Sequence, residues 1–404
     1  MAERTSQSAF AGRRGNEAAR EAPADSRVRE YDSLEELERL APAWDELAVA
    51  AGQPASLSGW QLAWWRQFAP PNACLRAIAT FDGDTLAGIA PYCSSGRHDQ
   101  SVCTLLAARF THRVEPLAAQ GRVAELAAAI AQRLATGTPS VAQVVFDTAD
   151  ADDHWLHAIR DAWPAARTPW VLAESRQPAP FADLGDAGYD AWLANKSTNF
   201  RQQARRYRRR LAQEGGAVRM TRSVEQLERD VEAFVALHHA RWKDRGGSTL
   251  GLDVGTMLYD AGRRLLAGGH FRLWIVELDG RPIGSQLLLA AGPNALYWNG
   301  GFDTSAARLR PALVGLLAAI EDCCERGQRR LDLGGGAHAY KLRLADGDRP
   351  IGTSVLVPRD ARYLRTRARL SGRQLSDLGR RAYQRLPRER QQDLRRLLRR
   401  TRSS

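Results

Sequence analysis

Lysine is almost absent from this chain: of its 58 basic residues only Lys196, Lys243 and Lys341 are lysine. Where arginine already supplies surface charge so freely, a lysine such as Lys341 reads as a chemical choice, because an ammonium and a guanidinium are not interchangeable. Cysteine is scarce as well. Cys74, Cys93, Cys103, Cys323 and Cys324 form no C-x-x-C pair and no metal-finger spacing, which excludes a zinc-finger or disulfide scaffold and fits reduced thiols. The adjacent Cys323 and Cys324 read as small apolar residues of a helix. No apolar run approaches the length needed to span a bilayer. Arg13-Arg14 are followed by Gly-Asn-Glu, not by the apolar segment of a signal peptide, so the expectation is a cytoplasmic protein. Gly334-Gly335-Gly336 lacks the Lys-Ser/Thr ending of a P-loop, and no G-x-G-x-x-G runs into a helix there.

What is present is a chain of 404 residues, 44% hydrophobic and 26% charged, enough for two or more domains with cores of their own. The net charge of +12 is unevenly placed. From Arg359 to Ser404 there are 16 arginines and four acids, a surplus as large as that of the whole chain. The remainder is close to neutral, so no specific nucleic-acid partner is expected for it. The tail reads as a basic helix with Leu394, Leu397 and Leu398 on one side, either solvated or drawn to anionic lipid. Residues 1–27 lack apolar periodicity and read as a disordered leader.

Between these ends the pattern repeats. In the first half, Ser33 and Glu36 form a capping box before a helical stripe of Leu34, Leu37, Leu40, Trp44 and Leu47, interrupted by Pro42. A second helix covers 60–68. A hairpin turns at Asp82-Gly83, then come a strand at 102–107, a helix at 123–134, a strand at 141–146, a helix near 155–163 and a strand at 170–172. The second half offers a strand at 218–221, helices at 224–242 and 256–266, and a hairpin at Asp279-Gly280. A strand at 295–302, a helix at 312–326 and a strand at 330–333 follow. Two copies of one α/β unit result, each a mixed, mostly antiparallel sheet flanked by helices, with boundaries at 28–180 and 181–358 and a basic helical tail at 359–404.

This element order is that of the GNAT acyltransferase fold. The second half resembles the CelD/BcsL-type acetyltransferases of that superfamily, which are in turn similar to the Fem-type aminoacyltransferases in having tandem GNAT units. The resemblance rests on L-H-H-A-R-W (237–242), L-Y-W-N-G-G-F-D (296–303), R-P-A-L-V (310–314) and L-D-L-G-G-G-A-H-A-Y-K (331–341). It spans roughly residues 30–345 and is strongest from 190 onward. It implies an acyltransferase, acetyl-CoA as co-substrate, no metal, and an amine or hydroxyl acceptor on a sugar or cell-envelope precursor, such as one used in exopolysaccharide or cellulose synthesis. A Fem-like transferase fed by aminoacyl-tRNA, and a non-catalytic module docking through the tail, are the other readings.

The candidate residues follow. The resemblance places the aromatic-lysine pair Tyr340-Lys341 beside the reacting carbonyl, where Lys341 would stabilise developing negative charge. The glycines before it let the backbone turn sharply out of a strand. His238, Arg241 and Trp242 share a helical face, and His238 is a proton-exchange candidate. Trp298 and Asn299, on opposite faces if the strand alternates regularly, suit sugar recognition. Asp303 is a reserve base. In R-L-R-P-A-L-V-G the family's pyrophosphate loop would be Arg308, Arg310, Pro311, Ala312 and Leu313. Ala312 stands where the family usually has glycine, but the helix start still offers an anion its backbone donors. Arg201 and Arg205, with Arg208 and Arg209, form a cationic helical face suited to phosphate.

Overall fold

The computed structural model describes residues 26–372 apart from 97–99, 138–140, 153, 165–167, 244–246, 249 and 252. The first part of the chain runs β1 (Ser26–Tyr31), α1 (Leu34–Ala51), α2 (Ser58–Phe68), β2 (Cys74–Asp82), β3 (Thr85–Ser95), β4 (Val102–Leu105), β5 (Leu117–Ala118), α3 (Val123–Thr136), β6 (Gln143–Asp150), α4 (His154–Asp161) and β7 (Trp170–Gln177). The second continues with β8 (Pro180–Asp183), α5 (Gly188–Ala194), α6 (Thr198–Gln213), β9 (Gly216–Met220), α7 (Val224–Trp242), α8 (Val254–Leu265), β10 (Phe271–Leu278), β11 (Arg281–Ala291) and β12 (Asn294–Phe302). It closes with α9 (Pro311–Glu325), β13 (Arg330–Asp332), α10 (Ala339–Leu344), β14 (Gly347–Asp348) and β15 (Ile351–Val357).

Among the described residues the strands form two sheets, ordered β1-β2-β3-β4-β6-β15-β7, with β5 on β3, and β14-β8-β13-β12-β11-β10-β9. Pairing is antiparallel except at β4–β6 and β12–β13, which occupy equivalent places in the two halves. The β12–β13 pair covers only Asn294–Leu296 against Arg330–Asp332. Beyond it β13 ends while β12 runs on to Phe302, paired there only with β11, and the site lies beside that stretch. The second hairpin turns on Asp279 and Gly280, both with positive φ, the backbone twist that suits a two-residue hairpin loop.

The two halves share one core. Trp44, Trp60 and Ile89 from the first belong to the same apolar cluster as Phe234, Leu258, Phe271 and Leu287 from the second. Helices α2 and α8 touch closely enough that a Cβ on Gly59 would lie 2.8 Å from Leu265 Cγ. Burial on this scale, at about 25 cal/mol per Å² of apolar surface, binds the halves into one body.

Several expectations need correction. The boundary expected at 28 cuts a strand, because β1 already pairs along β2 in register from Ser26↔Asp82 to Tyr31↔Ala77; the rest of the expected leader, residues 1–25, lies outside the described residues. Ser33 sits at the N-cap of α1 but makes no capping hydrogen bond, and α1 runs through Pro42. The segment 351–357, expected in the second unit, is inserted between β6 and β7 of the first sheet. The unit boundary at 358 therefore cuts off a strand of the first sheet. Residues 363–372 are helical, and Leu370 packs on Val145, Val355 and Val357 of that sheet. The start of the basic tail is thus docked, while Leu394, Leu397 and Leu398 lie outside the described residues.

Candidate active site

The site is built on β12, whose sequence Y-W-N-G-G-F breaks strand regularity once. Opposite it, Leu287 pairs with Asn299 and Leu288 with Tyr297, which leaves Trp298 as the extra residue of a β-bulge. The glycines that follow permit two close approaches. A Cβ on Gly301 would lie 2.3 Å from the His238 backbone nitrogen, so α7 rests directly on the strand. One on Gly300 would lie 2.3 Å from Gln286 Oε1 and 2.7 Å from the Tyr297 hydroxyl. The Gly300 carbonyl accepts a hydrogen bond from Arg241 Nη1 at 3.2 Å and lies 3.3 Å from His238 Nδ1.

Beside these residues lies a cavity of about 260 Å³. Phe200, Gln203 and Tyr207 of α6 form one wall, and Gln286 and Tyr297 of the sheet form another. Arg310, Pro311, Ala312 and Leu313 at the start of α9, and Tyr340 and Arg343 of α10, complete it together with Arg241. Arg310 adopts the left-handed conformation, φ 54°, and its carbonyl accepts from the amides of Leu313 and Val314. Gly284 lies beneath Pro311, where a Cβ would sit 2.8 Å from the proline Cβ; this brings the positive end of α9 to the cavity.

At the inner end three groups converge. Tyr297, Tyr340 and Arg241 all line the cavity, and the two phenols and the guanidinium are close enough to influence one another's protonation. Burial raises the pKa of both phenols above the ordinary tyrosine value, so both remain protonated at neutral pH. The Arg241 guanidinium lies 5.3, 5.6 and 5.9 Å from the rings of Trp242, Phe302 and Tyr340, and its Nε is buried without a partner. Gln286, 1% exposed, also has a buried Nε2 without a partner. Such groups are costly to leave unpaired in a folded protein, and here they border a cavity.

The other expected residues lie elsewhere. Lys341 is off the cavity wall: its Nζ donates to the carbonyls of Gly334 (3.1 Å) and Gly335 (2.7 Å). Burial lowers its pKa to about 8, against the opposing pull of Asp332. Tyr340 and Lys341 are consecutive in the helix α10, which sends their side chains in different directions. His238 is buried and stacked on Phe234, and burial brings its pKa down to about 4. Asp303 caps the short turn Thr304–Leu309 by accepting from Ser305 N at 2.9 Å. Trp298 and Asn299 line a second cavity together, with Trp64, Phe68, Phe110 and His112; the bulge cancels the alternation that would have parted them. Arg201 is engaged with Ala194 O and Thr198 Oγ1. Arg205 is exposed, and Arg308 is held by Glu214.

Sequence reasoning passed over Gln286, Tyr297 and Arg343. A readable signal existed for the first, a lone amide inside the apolar strand I-G-S-Q-L-L-L-A. Among the described residues no three His, Cys, Asp or Glu are grouped to hold a metal ion, and no helix is long and apolar enough to cross a membrane.

Residues 198–342 match the family model of an acetyltransferase (GNAT) domain. Among solved structures the chain is similar to FemX, with a TM-score of 0.57 and 12% identity over 82% of this chain and 97% of that one. It is also similar to the C-terminal domain of a putative lysylphosphatidylglycerol synthetase from Agrobacterium fabrum, with a TM-score of 0.52 and 10% identity over 80% of this chain and 92% of that one. No curated protein matches it in sequence. The fold is two GNAT-like units in tandem, each a mixed, mostly antiparallel sheet flanked by helices, and the cavity lies in the half that matches the GNAT domain.

Proposed function

We propose that the protein is an acyltransferase that takes its acyl group from acetyl-CoA and passes it to an amine or hydroxyl of a sugar or cell-envelope precursor, as the CelD/BcsL-type resemblance implies. The observation that carries this reading is the meeting of Arg241, Tyr297 and Tyr340 at the inner end of a cavity whose rim is the start of α9. The α9 amides with Arg310 and Arg343 suit the phosphates of CoA. The unpaired Gln286 amide offers a donor to an acyl or pantetheine carbonyl.

In the reaction the acceptor nitrogen or oxygen attacks the thioester carbonyl carbon. A new C–N or C–O bond forms, the C–S bond breaks, and its electron pair leaves on sulfur. Arg241 stabilises the oxyanion formed on the way. Tyr340 gives its hydroxyl proton to the departing thiolate and regains the proton lost by the acceptor, so it acts as a relay. Trp298 and Asn299 line the second cavity, and rings with a neighbouring amide suit a sugar-linked acceptor. Acetyl-CoA as donor places the reaction in the cytoplasm, and the basic tail suits approach to anionic lipid.

One observation supports a second donor. Arg205, Arg206 and Arg209 are exposed on α6, the helix that also lines the cavity, and such a face would suit the backbone of an aminoacyl-tRNA. Thiol release from acetyl-CoA, measured against a panel of amino sugars, tests the first reading; acceptor acylation from charged tRNA tests the second. Acceptor-dependent thiol release supports the CoA reading. Transfer from charged tRNA alone replaces it.

A further inference from the structure

A buried charge chain joins the ends of two equivalent strands. Asp150 ends β6 in the first sheet and Asp332 ends β13 in the second. Between them stands Arg113, 8% exposed, on the loop after β4. It is bonded through Nε to Asp332, is ion-paired through Nη1 with Asp150, and donates through Nη2 to the Arg349 carbonyl. The Arg349 guanidinium pairs with the second oxygen of Asp150. A planar guanidinium can address three acceptors in different directions, which a lysine ammonium on its single stem does less well.

The chain leads onward to the site. The other oxygen of Asp332 accepts from Gly334 N at 2.6 Å. Gly334 has φ +75°, and the place of its missing Cβ lies 3.3 Å from the His112 ring, 3.6 Å from Lys341 Nζ and 3.6 Å from Tyr297 O. Lys341 ties this turn to α10. At the far end of α10, Lys196 donates to Leu344 O at 2.8 Å and pairs with Asp346 Oδ1 at 2.5 Å. Tyr340, on the cavity wall, is carried by a helix of six residues fixed at both ends.

We propose that Arg113, supplied by the first half of the chain, is a positioning residue for transfer in the second: through Asp332 and the glycine turn it sets the place of the Tyr340 hydroxyl. The proposal rests on the acyltransferase reading above. It gives the first half a part in the chemistry without contact with the acyl donor.

The test compares Arg113→Gln and Arg113→Lys in the full chain. For Arg113→Gln, kcat falls roughly 10- to 100-fold, the scale of a misplacement near 1 Å. Calorimetric affinity for acetyl-CoA falls several-fold less than kcat, because β11, β12 and α9 are untouched and of the groups proposed to bind the donor only Arg343 lies in the loosened segment. Arg113→Lys keeps the charge and most of the thermal stability yet still loses turnover. Hydrogen exchange across residues 333–344 rises in both variants, a readout independent of activity. A loss of melting temperature alone, with parental kcat and parental exchange across 333–344, would overturn the proposal. A parent that fails to bind acetyl-CoA while Arg113→Gln still loosens 333–344 instead overturns the donor reading and leaves the mechanical link standing.

Discussion

Tyr340 and Lys341 are adjacent in sequence and leave α10 in different directions. The tyrosine lines the cavity beside Tyr297 and Arg241, while the lysine ammonium turns inward onto the carbonyls of Gly334 and Gly335. The pair therefore divides its contacts: one side chain faces the cavity and the other holds the turn that precedes it. It also explains a chain that is sparing with lysine. Lys196 and Lys341 are both buried and each donates to two backbone carbonyls, a task for a compact ammonium with three donors.

Replacing Tyr340 by Phe removes the relay and keeps the ring. The expected result is a fall in kcat of about 100-fold with KM for acetyl-CoA little changed, the range of a lost general acid. In the parent, activity persists to alkaline pH and declines only above the ordinary tyrosine range, because burial raises the Tyr340 pKa. A pH–rate profile of parent and variant checks both points.

Gln286→Leu separates ligand binding from folding. The amide nitrogen has no partner in the free protein, so its removal leaves stability unchanged or raises it by about 1 kcal/mol. Affinity for acetyl-CoA falls by about ten-fold, the worth of one good hydrogen bond to a ligand. Denaturant unfolding and calorimetry on the same samples give the two numbers.

His238 makes stability pH-dependent. Its folded pKa of about 4 lies below the ordinary histidine value of 6.5, so between these values the unfolded chain binds the extra proton and stability is lost as pH falls. Above pH 6.5 the residue contributes no slope. Chemical denaturation from pH 7 to 4 should show the loss in the parent and a flatter curve in His238→Gln, whose turnover at pH 7 stays within a few-fold of the parent because the ring is off the cavity wall.

The two glycines of β12 should respond differently. Ala at Gly301 meets the α7 backbone at 2.3 Å, which cannot yield cheaply, and a loss of about 3 kcal/mol is expected. Ala at Gly300 meets the Ser285 carbonyl at 2.7 Å as well as the side chains of Gln286 and Tyr297, so Gly300→Ala also loses stability and, by displacing two cavity residues, loses more activity than Gly301→Ala. Melting temperatures and kcat of the two variants show whether the losses divide in this way.

Much of the fold was legible where structure is local. Helix α7 matches its expected span because Ser223 caps it, accepting from Gln226 N, and the second hairpin turns on Asp279-Gly280 as expected, whereas the first, expected at Asp82-Gly83, turns one residue later on Gly83-Asp84 with Asp82 paired to Thr85. What was illegible depended on distant partners. Strand β15 is placed by β6 and β7, about two hundred residues earlier. A-Y-K-L-R-L alternates like a strand and is helical because Lys196 and Lys341 hold its surroundings. At the site, Arg241, Tyr340 and the start of α9 were marked by sequence, and Gln286 and Tyr297 came to light only when folding brought them together. Trp298 and Asn299 were marked, but the bulge that puts them in one cavity carries no signature in W-N.

The most direct measurement is calorimetric titration of the full chain with acetyl-CoA, beside desulfo-CoA and acetyl phosphate, in the parent and in Gln286→Leu. The account predicts saturable binding of both CoA ligands, none of acetyl phosphate, and weaker binding in the variant. No binding of either CoA ligand, or equal binding by parent and variant, would contradict the assignment of this cavity to the acyl donor.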